Sequence, residues 1–282
     1  MLKTRVLTAL VLIPAVLAAM FLLSPMKWGI VMLAVITLAA REWARLVGFA
    51  NTAQWLFAVA TLGIGAALLF PATAGFAGDR PDLPVFAVCG IAAFFWIVVA
   101  PPWVVARWPT QSRIPMAVVG WVVLIGAWVA LVELQARSPT LVLAAMAIVW
   151  IADTAAYFSG RAFGRHKLAP QVSPGKTWEG VYGAWIAVAL YALVLVPYSG
   201  AAGLRLQVTT LSIALWVLFL VLLASVSIVG DLFESLLKRH AGAKDSGALL
   251  PGHGGVLDRI DALLAAMPIA AIAAQLLLDK PA

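Results

Sequence analysis

The charged residues in the second half of the chain are the ones whose types and spacing could do chemistry. Seven of the twelve acidic residues lie between Asp153 and Asp261, together with all three histidines. The densest stretch is 230–261, where carboxylates, cations and glycines alternate. Carboxylates at this density are typical of sites for hard cations such as Mg²⁺, and neighbouring Lys and Arg are typical of phosphate sites. The stretch is therefore predicted to bring a divalent metal and phosphate groups together.

Two pairs of carboxylates in this stretch have helical spacing. Asp231 and Glu234 are three residues apart at the end of one apolar run, and Asp258 and Asp261 are three apart at the start of the next. Residues with this spacing share one face of a helix, so each pair presents its carboxylates together. The glycines between the two pairs allow backbone N–H groups to approach an anion closely.

A second polar segment contains Gly-Lys-Thr, which ends at Thr177. A P-loop would also need a glycine at position 170, where this chain has Pro170, so a P-loop is excluded. Ser173, Lys176 and Thr177 still place hydroxyls and an ammonium ahead of an apolar run, and helix N-termini attract anions. The segment predicts a phosphate site, a helix cap by Ser173 or Thr177, or both.

These segments belong to a chain that is mostly apolar. Of the 282 residues, 64% are hydrophobic and only 11% are charged, which excludes an ordinary soluble enzyme. A membrane span takes about 20 apolar residues, and in lipid such a span must be a helix. Nine apolar runs occur, at about 6–23, 28–40 (or 28–50), 55–70, 83–105, 114–134, 140–158, 178–196, 208–230 and 260–278.

The distribution of positive charge predicts how these spans are oriented. With a cytoplasmic N-terminus and nine alternating spans, 14 of the 19 Lys and Arg residues fall on the cytoplasmic side, as the positive-inside rule requires. The net charge of +7 then needs no nucleic-acid partner. We predict an all-α polytopic membrane protein with about five spans in 1–138. Residues 139–282 would form a catalytic region of about four spans with two cytoplasmic polar loops, 159–178 and 231–259.

At these same residues the chain resembles the phosphatidate cytidylyltransferases, or CDP-diacylglycerol synthases. Their signature is matched by Ser235-x2-Lys238-Arg239-x4-Lys244-Asp245-x-Gly247-x2-Leu250-Pro251-x-His253-Gly254-Gly255-Val256-x-Asp258-Arg259-Ile260-Asp261. Two further blocks are similar to that family: Asp153-x2-Ala156-Tyr157-x2-Gly160 and Ser173-Pro174-Gly175-Lys176-Thr177-x-Glu179-Gly180. The first 150 residues resemble the family mainly in hydropathy.

The resemblance implies a reaction and a set of partners. The family makes CDP-diacylglycerol and pyrophosphate from CTP and phosphatidic acid with Mg²⁺, in an all-helical membrane fold that is a homodimer. Asp231 and Asp258 match the positions that hold the metal, and a second cation such as K⁺ is associated with the family's site. The compact length suits a bacterial inner membrane, with the active site facing the cytoplasm, where CTP is found.

We assign the remaining roles by residue chemistry. Asp245 and Asp261 would be additional ligands or would support the ligands, and the Lys and Arg side chains would contact phosphates. The predicted catalytic residues are Asp231, Asp258, Lys244, Asp245, His253, Arg259 and Asp261. The predicted substrate-binding residues are Asp153, Ser173, Lys176, Thr177, Lys238, Arg239, Gly254 and Gly255.

Two other functions remain open at the level of sequence. CTP-dependent polyprenol kinases are similar in part of the 230–261 stretch, and they would transfer the γ-phosphate instead of CMP. A transporter for an anionic solute could use the polar loops as a gate, although transporters place their charges near the bilayer midplane and here the charges collect at one surface. CDP-alcohol phosphotransfer would need an Asp-Gly-x-x-Ala-Arg block, which this chain lacks.

Overall fold

Most of the described chain is helical. The computed structural model describes residues 2–75, 83–110, 112–198, 209–249, 252 and 254–277. The first part of this described chain forms α1 (Leu2–Leu22), α2 (Pro25–Leu46), α3 (Asn51–Gly75), α4 (Leu83–Phe94), α5 (Ala100–Ala106) and α6 (Arg113–Arg137). The second part forms α7 (Pro139–Phe163), α8 (Trp178–Leu195), α9 (Thr210–His240) and α10 (Leu257–Leu277). A π-helical turn, Phe95–Val99, joins α4 to α5, and a short 3₁₀ turn, Val196–Tyr198, follows α8.

Seven helical segments of the described chain are long and apolar enough to cross a membrane. They are Asn51–Leu69, Leu83–Ala106, Arg113–Arg137, Pro139–Phe163, Trp178–Tyr198, Thr210–His240 and Leu257–Leu277. The first two predicted runs are also helical, but α1 offers only the shorter apolar stretch Leu10–Leu22, and α2 carries Lys27, Arg41, Glu42 and Arg45. A helical polytopic membrane protein is therefore confirmed, while the count of nine spans and the side of the N-terminus stay predictions.

The polar segment around Lys176 contains a small β-hairpin, which is a local addition to the predicted all-α fold class. Helix α7 continues to Phe163, and an antiparallel pair of strands follows, β1 (Lys167–Ala169) and β2 (Ser173–Thr177). The predicted loop 159–178 is thus the end of a helix followed by a hairpin that leads directly into α8.

The 230–261 stretch also contains less loop than predicted. Helix α9 runs on to His240 and α10 begins at Leu257, so residues 231–240 and 257–259 of the predicted loop 231–259 are helical. The reason is an apolar face that continues past Asp231, because four side chains at helical spacing are all buried. These side chains are Leu232, Phe233, Leu236 and Leu237.

Tryptophan side chains join α2 to α6. The indole N–H of Trp28 donates to the Leu131 carbonyl at 3.0 Å, and that of Trp43 donates to the Met116 carbonyl at 2.9 Å. In the other direction, the Trp128 indole donates to the Gly29 carbonyl at 2.9 Å. Buried indole N–H groups need such partners, and these three bonds fix the position and rotation of α2 relative to α6.

An aromatic cluster fixes the end of α9 against the first part of the chain. Phe233 is buried and lies between the rings of Trp43, Phe95, Trp96 and Trp103, with ring centroids 5.4–6.2 Å away. Edge-to-face and stacked arrangements at such distances are favourable. Helix α10 packs against α9, α6 and α4, so contacts cross the predicted division at residues 138 and 139.

Candidate active site

A cavity of about 730 Å³ opens where the two polar segments meet the ends of α7, α9 and α10. Among the described residues, the charged lining consists of four carboxylates and three cations: Asp153, Asp231, Asp258, Asp261, Arg161, Lys176 and Arg259. The apolar lining includes Val149, Trp150, Ile228 and Leu263. This volume is ample for a small-molecule ligand, and the lining offers oxygen ligands, phosphate-binding cations and an apolar wall.

The β-hairpin delivers Lys176 to this cavity. The Thr177 hydroxyl caps α8 by accepting a 3.2 Å hydrogen bond from the Gly180 N–H, which confirms one of the two predicted caps. The preceding Lys176 extends to α9, where its Nζ lies 2.6 Å from Oδ2 of Asp231. Arg239 of α9 donates to the Val172 carbonyl at 3.1 Å. The hairpin is therefore attached to α9 at two points.

Close packing of α9 on α10 brings Asp231 and Asp261 to the same wall. Gly230 lies at the contact, because a Cβ on this residue would be 2.7 Å from the Asp261 carbonyl oxygen and 2.8 Å from the Ala265 Cβ. Small residues at helix contacts are typical of membrane proteins, where they allow backbones to approach. The predicted sharing of one helix face by Asp258 and Asp261 is confirmed, since both line the cavity from α10.

The Asp258 carboxylate is held by three donors. Lys238 of α9 donates to Oδ1 at 2.8 Å, and the same ammonium contacts Glu234. Oδ2 accepts from the Ser246 N–H at 2.9 Å and from the Gly255 N–H at 2.8 Å. Charge-assisted hydrogen bonds of this kind are stronger than neutral ones. Asp258 therefore has a fixed orientation at the edge of the cavity.

Sequence reasoning missed Arg161, which lines the cavity, and it also missed Glu42 and Arg45, which hold the loop beside it. Glu42 and Arg45 lie on α2, within residues 1–138, where the sequence predicted membrane spans and no site residue. The Glu42 side chain is buried and accepts hydrogen bonds from residues 246, 256 and 257, while Arg45 donates to the carbonyls of Asp245 and Ser246. A signal was present, because charges that interrupt an apolar run are costly and are retained for a reason.

The structure brings together most, but not all, of the predicted site residues. The described cavity lining includes eight of them: Asp153, Ser173, Lys176, Thr177, Asp231, Asp258, Arg259 and Asp261. Lys238, Gly254 and Gly255 lie beside Asp258.

The remaining predicted residues are placed differently. Arg239, Lys244 and Asp245 lie outside the described cavity lining, and all three are exposed. Arg239 binds a backbone carbonyl of the hairpin, and Lys244 and Asp245 lie on the 241–256 loop. His253 lies outside the described residues. The roles of these four residues stay predictions.

The carboxylates of this cavity suit a metal ion whose other ligands come from the substrate and water. No cluster of three or more Asp, Glu, His or Cys side chains is assembled as a metal cage within the described part of the chain. Mg²⁺, however, is usually held by one or two carboxylates together with substrate phosphates and water. Asp231 is partly exposed and lines the same cavity as Asp258, so the two carboxylates fit that mode of binding.

A comparison with known families agrees with this chemistry. The model of the cytidylyltransferase family matches residues 3–277, which is nearly the whole chain. The protein therefore belongs to the cytidylyltransferase family. The match includes both polar segments and the first six helices as well.

Individual relatives carry a more specific name. The chain is 42% identical over 278 residues to a phosphatidate cytidylyltransferase of Pseudomonas aeruginosa, with 95% of each chain covered. It is 35% identical over 283 residues to a phosphatidate cytidylyltransferase of Haemophilus influenzae, with 95% of this chain and 96% of the relative covered. A protein of the same name from Thermotoga maritima is 43% identical over 128 residues, which cover 45% of this chain and 46% of the relative.

Proposed function

We propose that the protein transfers CMP from CTP to phosphatidic acid, which yields CDP-diacylglycerol and pyrophosphate. The observation that carries the proposal is the cavity in which carboxylates, cations and an apolar wall meet at the ends of the membrane helices. The names of the two full-length relatives support the same reaction. CTP and phosphatidic acid are the two substrates.

The chemistry of this transfer matches what the cavity offers. A phosphate oxygen of phosphatidic acid attacks the α-phosphorus of CTP, and the bond from that phosphorus to the bridging oxygen of the β-phosphate breaks as pyrophosphate leaves. The nucleophile is already ionised, so no strong general base is needed. The barrier comes from bringing two anions together and from charge on the leaving group, and preorganised cations lower it. Lys176, Arg259 and Arg161 line the cavity and supply such cations.

Asp231 and Asp258 would hold the Mg²⁺ of this reaction. When bound, the metal supplies positive charge that neutralises the phosphates and polarises them. The chain's own part is to keep the two carboxylates in place: Lys176 and Ser235 contact Asp231, and three donors contact Asp258. Asp153 and Asp261 add negative charge to the same lining.

The proposed location follows from the substrates and the charge distribution. CTP is cytoplasmic, so the cavity would face the cytoplasm, and the excess of Lys and Arg in the segments around it supports that side. A bacterial inner membrane and a homodimer are part of the proposal. The phosphate of the lipid would enter at headgroup level while its acyl chains stay among the helices.

A radiochemical assay with detergent-purified protein tests the reaction. We expect label from α-labelled CTP to appear in a chloroform-soluble CDP-diacylglycerol when phosphatidic acid is present, and we expect EDTA to abolish it. Transfer of label from γ-labelled CTP to a polyprenol would replace the proposal with a lipid kinase. Absence of both products would contradict an enzyme of either kind.

The Asp258→Asn variant tests the site. Its single carbonyl oxygen cannot serve both the Lys238 ammonium and the two backbone N–H donors, so we expect turnover to be lost while the protein still purifies folded. Glu133→Gln is the matched control, because Glu133 is a buried carboxylate paired with Arg137 on α6, away from the cavity. Near-normal turnover of Asp258→Asn would remove Asp258 from the metal site.

A further inference from the structure

Glu42 is a buried carboxylate, and its hydrogen-bond donors among the described residues come from one loop and the helix that follows it. The Ser246 hydroxyl donates to Oε2 at 2.9 Å, the Leu257 N–H donates to Oε2 at 2.8 Å, and the Val256 N–H donates to Oε1 at 3.1 Å. Glu42 is only 5% exposed and lies outside the described cavity lining. A buried charge is tolerated when it is fully hydrogen-bonded, and here the loop supplies that bonding.

Ser246 connects Glu42 to Asp258. While its hydroxyl donates to Glu42, the same oxygen accepts from the Asp258 N–H at 3.2 Å. The Ser246 N–H in turn donates to the Asp258 carboxylate at 2.9 Å. One serine with no exposed surface therefore transmits the position of α2 to both the backbone and the side chain of Asp258.

The loop wraps closely around the Glu42 carboxylate. A Cβ on Gly247 would lie 2.7 Å from the Glu42 Cδ, and a Cβ on Gly255 would lie 2.6 Å from the same atom. Both distances are too short for real atoms, so only glycine fits at these two positions. On the next turn of α2, Arg45 donates to the Asp245 carbonyl at 2.9 Å and contacts the Ser246 carbonyl.

We propose that Glu42 is a positioning residue for the reaction: it holds the 241–256 loop so that the Ser246 and Gly255 N–H groups orient the Asp258 carboxylate towards the cavity. This inference rests on the proposed cytidylyl transfer. It assigns a role in the active site to α2, whose own position is fixed by the tryptophan hydrogen bonds to α6. Glu42 acts only through Ser246 and the loop, and it touches no substrate.

A double-mutant cycle with Glu42→Gln and Ser246→Ala tests this connection. In Glu42→Gln the side-chain NH₂ group would face an N–H or O–H donor of the loop, and this hydrogen bond would be lost. The loop would then hold Asp258 less accurately. We expect kcat to fall about 100-fold, which is the loss expected when a reacting group moves by about 1 Å. The KM for phosphatidic acid should change by less than about twofold, because Glu42 touches no substrate and substrate binding in the ground state is unchanged. The double variant should be no worse than the poorer single variant, since both changes break the same chain of contacts.

Glu133→Gln provides the control for a merely structural carboxylate. Glu133 is as buried as Glu42 and is also on the N-terminal half, but its partners are Arg137 and Gln275. We expect its loss to lower the melting temperature while kcat per folded molecule is unchanged. When Glu133→Gln is combined with Ser246→Ala, the two changes should act independently, so the double variant should keep the kcat of Ser246→Ala. The inference would be overturned by a normal kcat in folded Glu42→Gln. It would also be overturned if the kcat losses of Glu42→Gln and Ser246→Ala multiply in the double variant. Either result would leave the proposed function intact.

Hydrogen exchange gives a readout that does not depend on the reaction. In substrate-free protein we expect Glu42→Gln to speed exchange of peptides that contain the Ser246, Val256 and Leu257 amides, and Glu133→Gln to leave them unchanged. Unchanged exchange in Glu42→Gln would overturn the positioning role. If the wild-type protein makes no CDP-diacylglycerol, the proposed function is wrong, and this exchange experiment still decides whether Glu42 holds the loop.

Discussion

Lys238 is the cation whose removal we expect to destabilise the fold most. Its ammonium contacts Glu234 and lies 2.8 Å from Oδ1 of Asp258, and the exposed fractions of the three side chains are 15%, 4% and 6%. Lys238→Met keeps the length of the side chain but leaves two buried carboxylates without their shared cation. Removal of one partner from a buried ion pair costs about 3–5 kcal/mol, and we expect the free energy of unfolding to fall by about this amount.

The loss can be measured by reversible unfolding in mixed micelles, followed by tryptophan fluorescence. Lys244→Met is the matched control, because Lys244 is exposed on the next loop and should change the free energy of unfolding by less than about 0.5 kcal/mol. Adding Glu234→Gln to Lys238→Met removes one uncompensated charge and should recover part of the loss. A fall below about 1 kcal/mol, the range of exposed ion pairs, would refute the reasoning.

Three further predictions concern the scaffold around the site. Trp43→Phe loses the indole bond to the Met116 carbonyl but keeps an aromatic ring, so unfolding experiments should show a loss of about 1 kcal/mol. Gly120→Ala places a Cβ 2.5 Å from the Trp43 indole nitrogen and should cost about 1–3 kcal/mol, whereas Gly63→Ala, with nothing within 4 Å, should not lower stability. Thr177→Val removes the α8 cap and should cost about 0.5–2 kcal/mol; equal stability would contradict the cap.

Local patterns predicted much of the site because its chemistry is concentrated in two short stretches. Asp258 and Asp261 share a helix face, as their spacing requires, and Thr177 caps α8. The same reasoning placed the end of α9 too early because the charges after Asp231 were interpreted as a loop. The buried side chains between those charges, such as Phe233, have a helical period that would have extended the helix to its observed end.

The contacts of Glu42 could not be predicted because they are not local. Glu42 and Ser246 are 204 residues apart in the sequence, and only the packing of α2 on α6 and α9 makes them neighbours. Lys238 and Arg239 illustrate a related difficulty. Both are predicted to contact phosphates, and the sequence did not show that Lys238 also pairs with two carboxylates or that Arg239 also binds the hairpin. Residue type identifies a charged site, whereas tertiary structure decides which charges compensate one another.

The length of α9 has a consequence for how a lipid could be processed. Its 31 residues span roughly 46 Å at about 1.5 Å per residue, whereas the hydrocarbon core of a bilayer is about 30 Å thick. The apolar portion from Thr210 to Val229 is long enough to cross that core, so the rest of the helix, residues 230–240, would extend beyond it. With residues 210–229 across the core, Asp231 would lie at the height of the phosphate layer. A lipid could present its headgroup there by lateral diffusion alone, without lifting its chains out of the membrane.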